Sequence, residues 1–301
     1  MKSHLRTLGM IILVAVCGTV AVVVNLGPPA WMRDLVEKDP AAAPPTAESV
    51  AGPDTVRKGS TPKGMRLVWN DEFSGAAGTR PAADHWKIET GTPGTGEIEY
   101  NTRRNVALDG KGHLVITARK QKFRGAEYTS ARITSEGRFE TTYGRITARI
   151  RTPNGQGLWP AFWLLGRDFR ENPWPDCGEI DIMENVGFEP STVHGPLHGP
   201  GYSGGNGIGA GYTLPGGEQF ADGFHTFAVD WAPDRISWSV DGQVYQTRTP
   251  ADTGGNPWVF NKPFFLILNL AVGGDWPGPP DGNTTFPQEL VVDYVRVTTS
   301  D

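Results

Sequence analysis

The sequence predicts an all-β fold over residues 63–301, an antiparallel two-sheet β-sandwich of β-jelly-roll type. Three observations predict it. Past Lys63, apolar residues alternate with polar ones in short runs bounded by Gly, Pro and Asp, the period-two signal of half-buried strands. The chain carries 39 Gly and 25 Pro among 301 residues, a load that breaks helices and populates turns. No stretch of the domain has the apolar periodicity of an amphipathic helix, which excludes a helical bundle.

Two segments of different character precede the domain. Lys2 and Arg6 stand before an almost uninterrupted apolar run from Leu8 to Leu26. A basic flank followed by an apolar stretch is what the export machinery reads. The run falls between the usual signal-peptide core of about 7–15 residues and the ~20 of a spanning helix. Residues 1–27 therefore read as a signal peptide or an N-terminal membrane anchor. Thr19-Val20-Ala21 offers a small-x-small cleavage site, and Val22-Val23-Val24 prolongs the run past it. Either way the basic flank stays inside and the remainder is expected to be extracellular. Residues 28–62 carry seven prolines among Ala, Asp, Glu, Lys and Thr, with too few apolar residues to bury a core. They read as a disordered linker.

Within the domain, strands are predicted at Met65 to Trp69, His113 to Ala118, Ser130 to Ile133, Arg145 to Arg151, Thr226 to Trp231, Ile236 to Val240 and Val291 to Val297. Asp241-Gly242, between Val240 and Gln243, is a two-residue hairpin signal because both positions tolerate positive φ. The net charge of −5 leaves no basic surplus for a phosphate backbone, so nucleic acid is excluded as a partner. Of the two cysteines, Cys17 lies in the leading apolar run, so the domain holds Cys177 alone and no internal disulfide. Tryptophan is the unusual component, 10 of 30 aromatic residues in a polar chain.

The chemistry concentrates in Trp174-Pro-Asp-Cys-Gly-Glu179-Ile-Asp181-Ile-Met-Glu184. Glu179 and Asp181, two apart in a strand, point to one face while Ile180 and Ile182 point to the other. Glu184, five on from Glu179, falls on the wrong face of a regular strand. One extra residue at Ile182-Met183, a β-bulge, returns it to the acidic face, and bulges gather beside active sites. Glu179 and Glu184 are then four effective steps apart, about 13 Å between Cα atoms. Two glutamate side chains leaning together close most of that gap. The remainder is roughly the 5–5.5 Å that a nucleophile and an acid/base need for double displacement at a sugar. Asp181 between them helps keep a neighbouring carboxyl protonated. A solvated strand face with unrelated acids is the plain alternative. Just upstream, Trp159-Pro-Ala-Phe-Trp163-Leu-Leu-Gly166 places Trp159 and Trp163 at an even spacing, on the side of the acids. Exposed indoles are costly unless something packs on them, and the flat C–H faces of sugar rings do so. Core packing is the other use of such residues.

These residues resemble glycoside hydrolase family 16, the retaining β-glucanases that include laminarinases, lichenases, agarases and carrageenases. The resemblance covers nearly all of residues 64 to 299. It includes Leu67-Val-Trp-Asn-Asp-Glu-Phe-Ser74, Tyr128-Thr-Ser-Ala-Arg-Ile133, Gly137-Arg-Phe139, Tyr143-Gly-Arg-Ile146, Phe265 to Gly274, Trp276-Pro-Gly278 and Val292-Asp-Tyr-Val-Arg296. It implies a jelly roll with a concave substrate cleft. Glu179 would be the nucleophile, Glu184 the acid/base and Asp181 the assisting residue, and the six-residue acidic motif resembles the laminarinase branch. Asn101, Arg132, Trp159, Trp163 and Trp276 would line the cleft. His198 would lie near the reacting subsites, hydrogen-bonding sugar or Glu184. No cofactor is expected for catalysis. The family often binds one structural calcium, for which Glu72, Gly112 and Asp293 would supply oxygen ligands.

The implied activity is endo-acting, retaining hydrolysis of β-1,3-glucan by a monomer that touches the membrane only through its N-terminal segment. A mixed-linked-glucan or galactan hydrolase or transglycosylase, and a non-hydrolytic glucan-binding module, remain the other readings. Glu97-Ile-Glu99-Tyr100-Asn101 departs from the family's frequent Glu-Leu-Gln-Tyr-Tyr, and Asp275 stands where Asn is frequent; both bear on subsite preference. Cys177, two before Glu179, has no base beside it in the sequence and reads as an inert strand cysteine.

Overall fold

Residues 64–300 are described by the structure, a computed structural model. The predicted signal peptide or anchor over 1–27 and the linker over 28–62 lie outside the described residues. The strands run β1 Met65–Asp71, β2 Lys87–Glu89, β3 Glu99–Asn101, β4 Val106–Leu108, β5 Leu114–Phe123, β6 Ala126–Ser130, β7 Arg132–Thr134, β8 Glu140–Thr141, β9 Gly144–Arg151, β10 Leu158–Gly166, β11 Glu179–Asn185, β12 Thr192–His194, β13 Leu197–His198, β14 Gly211–Thr213, β15 His225–Ala232, β16 Arg235–Val240, β17 Gln243–Arg248, β18 Phe264–Val272 and β19 Gln288–Ser300. Among the described residues the only helices are short 3-10 turns, as the glycine and proline load requires.

The strands form two sheets. One runs β17-β16-β15-β9-β19-β5-β6-β3, with β1 also on β19 and β4 also on β5. The other runs β14-β12-β11-β10-β18-β7-β2, with β13 on β11 and β8 on β18. All pairs are antiparallel except β3 with β6, which is parallel. The period-two pattern reads directly in β9, where Ile146, Ala148 and Ile150 are buried and the intervening residues are not. Those residues join Phe162, Leu164, Ile180, Trp238, Leu266, Leu268 and Val295 in the core between the sheets.

Strands β10 and β18 read differently because both of their faces are covered. Their second face carries a smaller cluster of Ala161, Trp163, Leu165, Phe265 and Ile267, roofed by Phe169 and Cys177 from the segment between β10 and β11. The near-continuous apolar runs of these two central strands follow from that double burial.

Two sequence expectations are resolved at this level. The hairpin at Asp241-Gly242 forms with φ of 49° and 83°, and Val240 pairs with Gln243. The stretch Ser130 to Ile133, expected as one strand, is instead divided. Ser130 closes β6 in one sheet and Arg132 opens β7 in the other, with buried Ala131 between them. A chain that changes sheet must break its ladder at the crossing.

Candidate active site

The predicted bulge is present. Phe162 pairs with Met183 while the next residue of β10, Trp163, pairs with Asp181, so Ile182 is the extra residue of β11. Paired residues of an antiparallel ladder share a face, so Glu184 opposite Ala161, Asp181 opposite Trp163 and Glu179 opposite Leu165 all point away from the main core. Ile180, Ile182 and Met183 are buried in the main core. The kinked backbone is held from across the sandwich: the buried indole of Trp238 on β16 donates to the Asp181 carbonyl at 2.6 Å. The Asp181 N–H donates to the Pro196 carbonyl at 3.0 Å. The close passage over Trp238 requires a glycine at 195, where a Cβ would lie 2.6 Å from the indole.

One register row crosses the whole sheet through this point. Glu89 pairs with Arg132, Arg132 with Asn269, Asn269 with Ala161, Ala161 with Glu184, Glu184 with His194 and His194 with Gly211. Five inter-strand steps from Glu89 to His194 span about 24 Å. Small residues stand at 161 and 211 of this row, and polar or charged side chains flank them.

The three acids are nearly buried, and burial is the largest influence on each. It pushes Glu179 up to about 8, reinforced by the adjacent Asp181 charge. It pushes Glu184 up to about 7; nearby His198 and the Trp159 hydrogen bond pull down, and Glu179 pushes up. Asp181 is raised well above the usual carboxylate range by burial and by Glu184. Three acids this close titrate as one group, and the group retains protons to neutral pH.

Each remaining residue singled out in the sequence has a definite place. Trp159 donates from its indole nitrogen to Glu184 Oε1 at 3.0 Å. Its ring meets Trp276 edge-on at 5.7 Å, and Trp276, 38% exposed, is one of the few large apolar side chains open to solvent. Trp163 shares the face of the acids, as expected from its spacing, but is only 9% exposed. The Arg132 guanidinium covers it at 4.8 Å, and its indole donates to Asn269 Oδ1 at 2.7 Å. It is floor rather than open platform. Arg132 also pairs with Glu89 at 2.9 Å. Asn101 is buried beside β6, and its Oδ1 accepts no protein hydrogen bond. Trp174 packs on the smaller cluster, 6.1 Å from His198. Burial pushes the Cys177 thiol up to about 12, so it is an inert thiol.

His198 departs from the expectation that it bonds Glu184. Its Nε2 lies 3.2 Å from Asp181 Oδ2 and 3.9 Å from Glu179 Oε1, because β13 pairs with the start of β11 and sets His198 opposite Glu179. The histidine opposite Glu184 is His194, which was not singled out in the sequence. Its Nε2 bonds Glu189 Oε2 at 3.0 Å and its ring meets Trp276 edge-on at 5.0 Å. Of the departures near the cleft, Glu99 is buried and accepts the Val272 N–H at 2.9 Å. Burial pushes its carboxyl up to about 8.

The predicted calcium ligands do not fit as a set. Arg296 grips both oxygens of Glu72, at 2.7 and 2.8 Å, and Arg149 bonds Asp293 at 2.7 Å. Guanidinium groups already neutralise the two carboxylates that a hard cation would need. Among the described residues, the one group of three acidic or histidine side chains close enough to share an ion is Glu179, Asp181 and His198.

Comparison with known proteins agrees with this fold. A Pyrococcus furiosus endo-β-1,3-glucanase structure superposes with a TM-score of 0.74 at 48% identity, covering 78% of this chain and 94% of that one. The laminarinase catalytic domain of Thermotoga maritima gives 0.74 at 45% identity, covering 79% and 99%. A Rhodothermus marinus protein named beta-glucanase is 41% identical over 243 residues, 77% of this chain and 84% of that protein. The profile described as "Glycosyl hydrolases family 16" matches residues 96–296, from the strand of Glu99 through the acids of β11 to the last strand. With two thirds of its length inside that profile and its sheets superposing on solved relatives, the chain belongs to glycosyl hydrolase family 16.

Proposed function

We propose that this glycoside hydrolase cleaves β-1,3-glucan internally and with retention, using Glu179 and Glu184 of one bulged strand. The observation that carries the reading is that the bulge at Ile182 turns both glutamates and Asp181 to the same face, at the centre of a row of polar side chains crossing the sheet. Glu184 protonates the glycosidic oxygen as it departs. Glu179 attacks the anomeric carbon, forming a glycosyl ester. Water, deprotonated by the now ionised Glu184, then attacks that carbon and releases Glu179. Asp181 lies between them and holds the proton balance of the trio. Cleavage within the chain fits a row that extends past the acids on both sides, to Glu89 and to Gly211. The names of the compared glucanases and laminarinases support β-1,3-glucan as substrate.

The export signal at Lys2, Arg6 and the run Leu8 to Leu26 supports action outside the cell, as a single chain with membrane contact confined to that segment. A calcium at Glu72, Gly112 and Asp293 forms no part of the proposal, given the arginines on both carboxylates.

Glu179→Gln tests the reading. It should lower laminarin hydrolysis by about four orders of magnitude or more while the circular dichroism spectrum is unchanged. Turnover within tenfold of the wild type, roughly 1.4 kcal/mol of barrier, would be incompatible with Glu179 as nucleophile. Anomer-resolved NMR should show the β-anomer first. A reducing-end assay across laminarin, curdlan, lichenan and agarose sets the linkage preference.

A further inference from the structure

Glu179 and Asp181 stand two apart on β11, and the backbone register sets His198 directly opposite Glu179. One ligand atom from each of the three lies within 4.8 Å of the other two. Zinc holds nitrogen and carboxylate oxygen at about 2.0–2.2 Å, and two such ligands at a tetrahedral angle stand about 3.3–3.6 Å apart. The His198 Nε2 to Asp181 Oδ2 distance of 3.2 Å and the His198 Nε2 to Glu179 Oε1 distance of 3.9 Å bracket that separation. Small side-chain rotations complete the trio around one ion.

A second observation points the same way. Asp181 is 2% exposed, and its Oδ2, 3.2 Å from the imidazole Nε2, meets it without hydrogen-bond geometry, leaving a buried acceptor of the kind that is normally satisfied. The His198 ring is confined as well. Gly207 passes so close that a Cβ there would lie 2.5 Å from Cε1.

We propose that Glu179, Asp181 and His198 form an inhibitory site for a zinc-class divalent cation, lying on the carboxylates that the reaction uses. One imidazole nitrogen and two carboxylate oxygens are ligand types that zinc accepts, and three of them leave a fourth position open. Calcium and magnesium prefer all-oxygen shells of six or more, so the imidazole nitrogen is what favours zinc over them. Bound zinc engages the Glu179 oxygen that would attack the sugar and stands where the sugar would lie. Binding depends on the geometry alone; the inhibitory consequence rests on the catalytic role proposed for Glu179.

Titration calorimetry of the full chain with zinc chloride, run beside laminarin hydrolysis, tests the site. One zinc per chain should bind, be removed by EDTA, and inhibit competitively with laminari-oligosaccharides, while calcium and magnesium at equal concentration do not. His198→Gln, checked for an unchanged thermal midpoint, should weaken zinc binding at least about tenfold. His113→Gln, at the Asp109 and Asp293 group elsewhere on the molecule, should leave it unchanged. No binding at millimolar zinc, or binding that His198→Gln leaves intact, overturns the site. Zinc bound through His198 in a chain that cleaves no β-glucan overturns the catalytic reading and keeps the metal site. Glucan cleavage in a chain that binds no zinc overturns the metal site and keeps the catalytic reading, and cleavage unchanged with zinc bound through His198 overturns the inhibitory role.

Discussion

The hydrogen bond from Trp159 to Glu184 makes a quantitative prediction about the pH profile. At 3.0 Å the indole N–H donates to Glu184 Oε1, and this bond, with the nearby His198, opposes the upward push of burial and of Glu179. Trp159→Phe removes the donor and keeps a ring. A hydrogen bond to a charged acceptor contributes about 1.5–3 kcal/mol, and one pKa unit corresponds to about 1.36 kcal/mol. Complete loss would therefore lift the carboxyl by about one to two units. Water entering beside the partly buried Trp159 position replaces part of the bond, so the expected rise is about half a unit to one unit. The donor stabilises the ionised form, so without it the proton is retained to higher pH. A general acid works while protonated, so the alkaline limb of kcat/KM, which reports loss of the proton held by the trio, moves upward. The assay is kcat/KM for laminarin from pH 4 to 10 on both proteins, read for the position of the limb. Lower activity throughout is expected from the smaller ring and does not affect the comparison. Because the trio titrates as a unit, the limb belongs to the group rather than to Glu184 alone. A limb that stays in place or moves down refutes the reasoning.

Two other substitutions separate stability from binding. Glu99→Gln keeps an acceptor for the Val272 N–H and removes a buried carboxyl whose pKa is raised to about 8. A folded-state pKa above the unfolded value of about 4.5 means that stability is fully present below pH 4.5 and lost as pH rises toward 8. The variant should therefore melt higher by several degrees at pH 9 and almost equally at pH 4; a gain independent of pH contradicts the assignment. His194→Ala removes the edge contact on Trp276, worth about 0.5–1.5 kcal/mol for an aromatic pair, and should raise KM for laminarin about two- to tenfold with kcat little changed. His194→Phe restores a ring and should recover most of the affinity. If it is as poor as alanine, the Glu189-bonded nitrogen rather than the ring is what matters.

The local chemistry of the site was legible because strand periodicity is local. Glu179 and Asp181 had to share a face, and Glu184 could join them only through an extra residue between Asp181 and Glu184; the bulge lies there. The hairpin at Asp241-Gly242 followed from turn chemistry alone. What the sequence did not disclose depends on register between strands far apart in the chain. Glu89, Asn269 and His194 come from strands separated by up to 180 positions, yet one row joins them to Glu184. The contact of His198 with Asp181 rather than Glu184 was hidden for the same reason, since β13 sets His198 opposite Glu179. The calcium set rested on the family resemblance, and nothing near Glu72 or Asp293 in sequence revealed that Arg296 and Arg149 would occupy them.

The tryptophans show how the same residue type serves different ends according to what covers it. Trp86, Trp231 and Trp238 are buried in the core, and Trp238 also ties the opposite sheet to the bulge through the Asp181 carbonyl. Trp163 has the spacing of a cleft residue, but Arg132 above it and Asn269 on its nitrogen leave little ring for a sugar. Trp159 is tied to Glu184, and Trp276 stands open between the rings of Trp159 and His194. Its segment is tied down by the Gly273 N–H donating to the Gly157 carbonyl at 2.7 Å and the Gly278 N–H donating to the Gly274 carbonyl at 3.0 Å. The open indole also meets two ring neighbours, one of which donates to Glu184 and the other of which faces Glu184 across the ladder. The hydrogen bond to Glu184 comes from one neighbour and the second ring contact from the other, so Trp159→Phe is read in the pH profile and His194→Ala in KM.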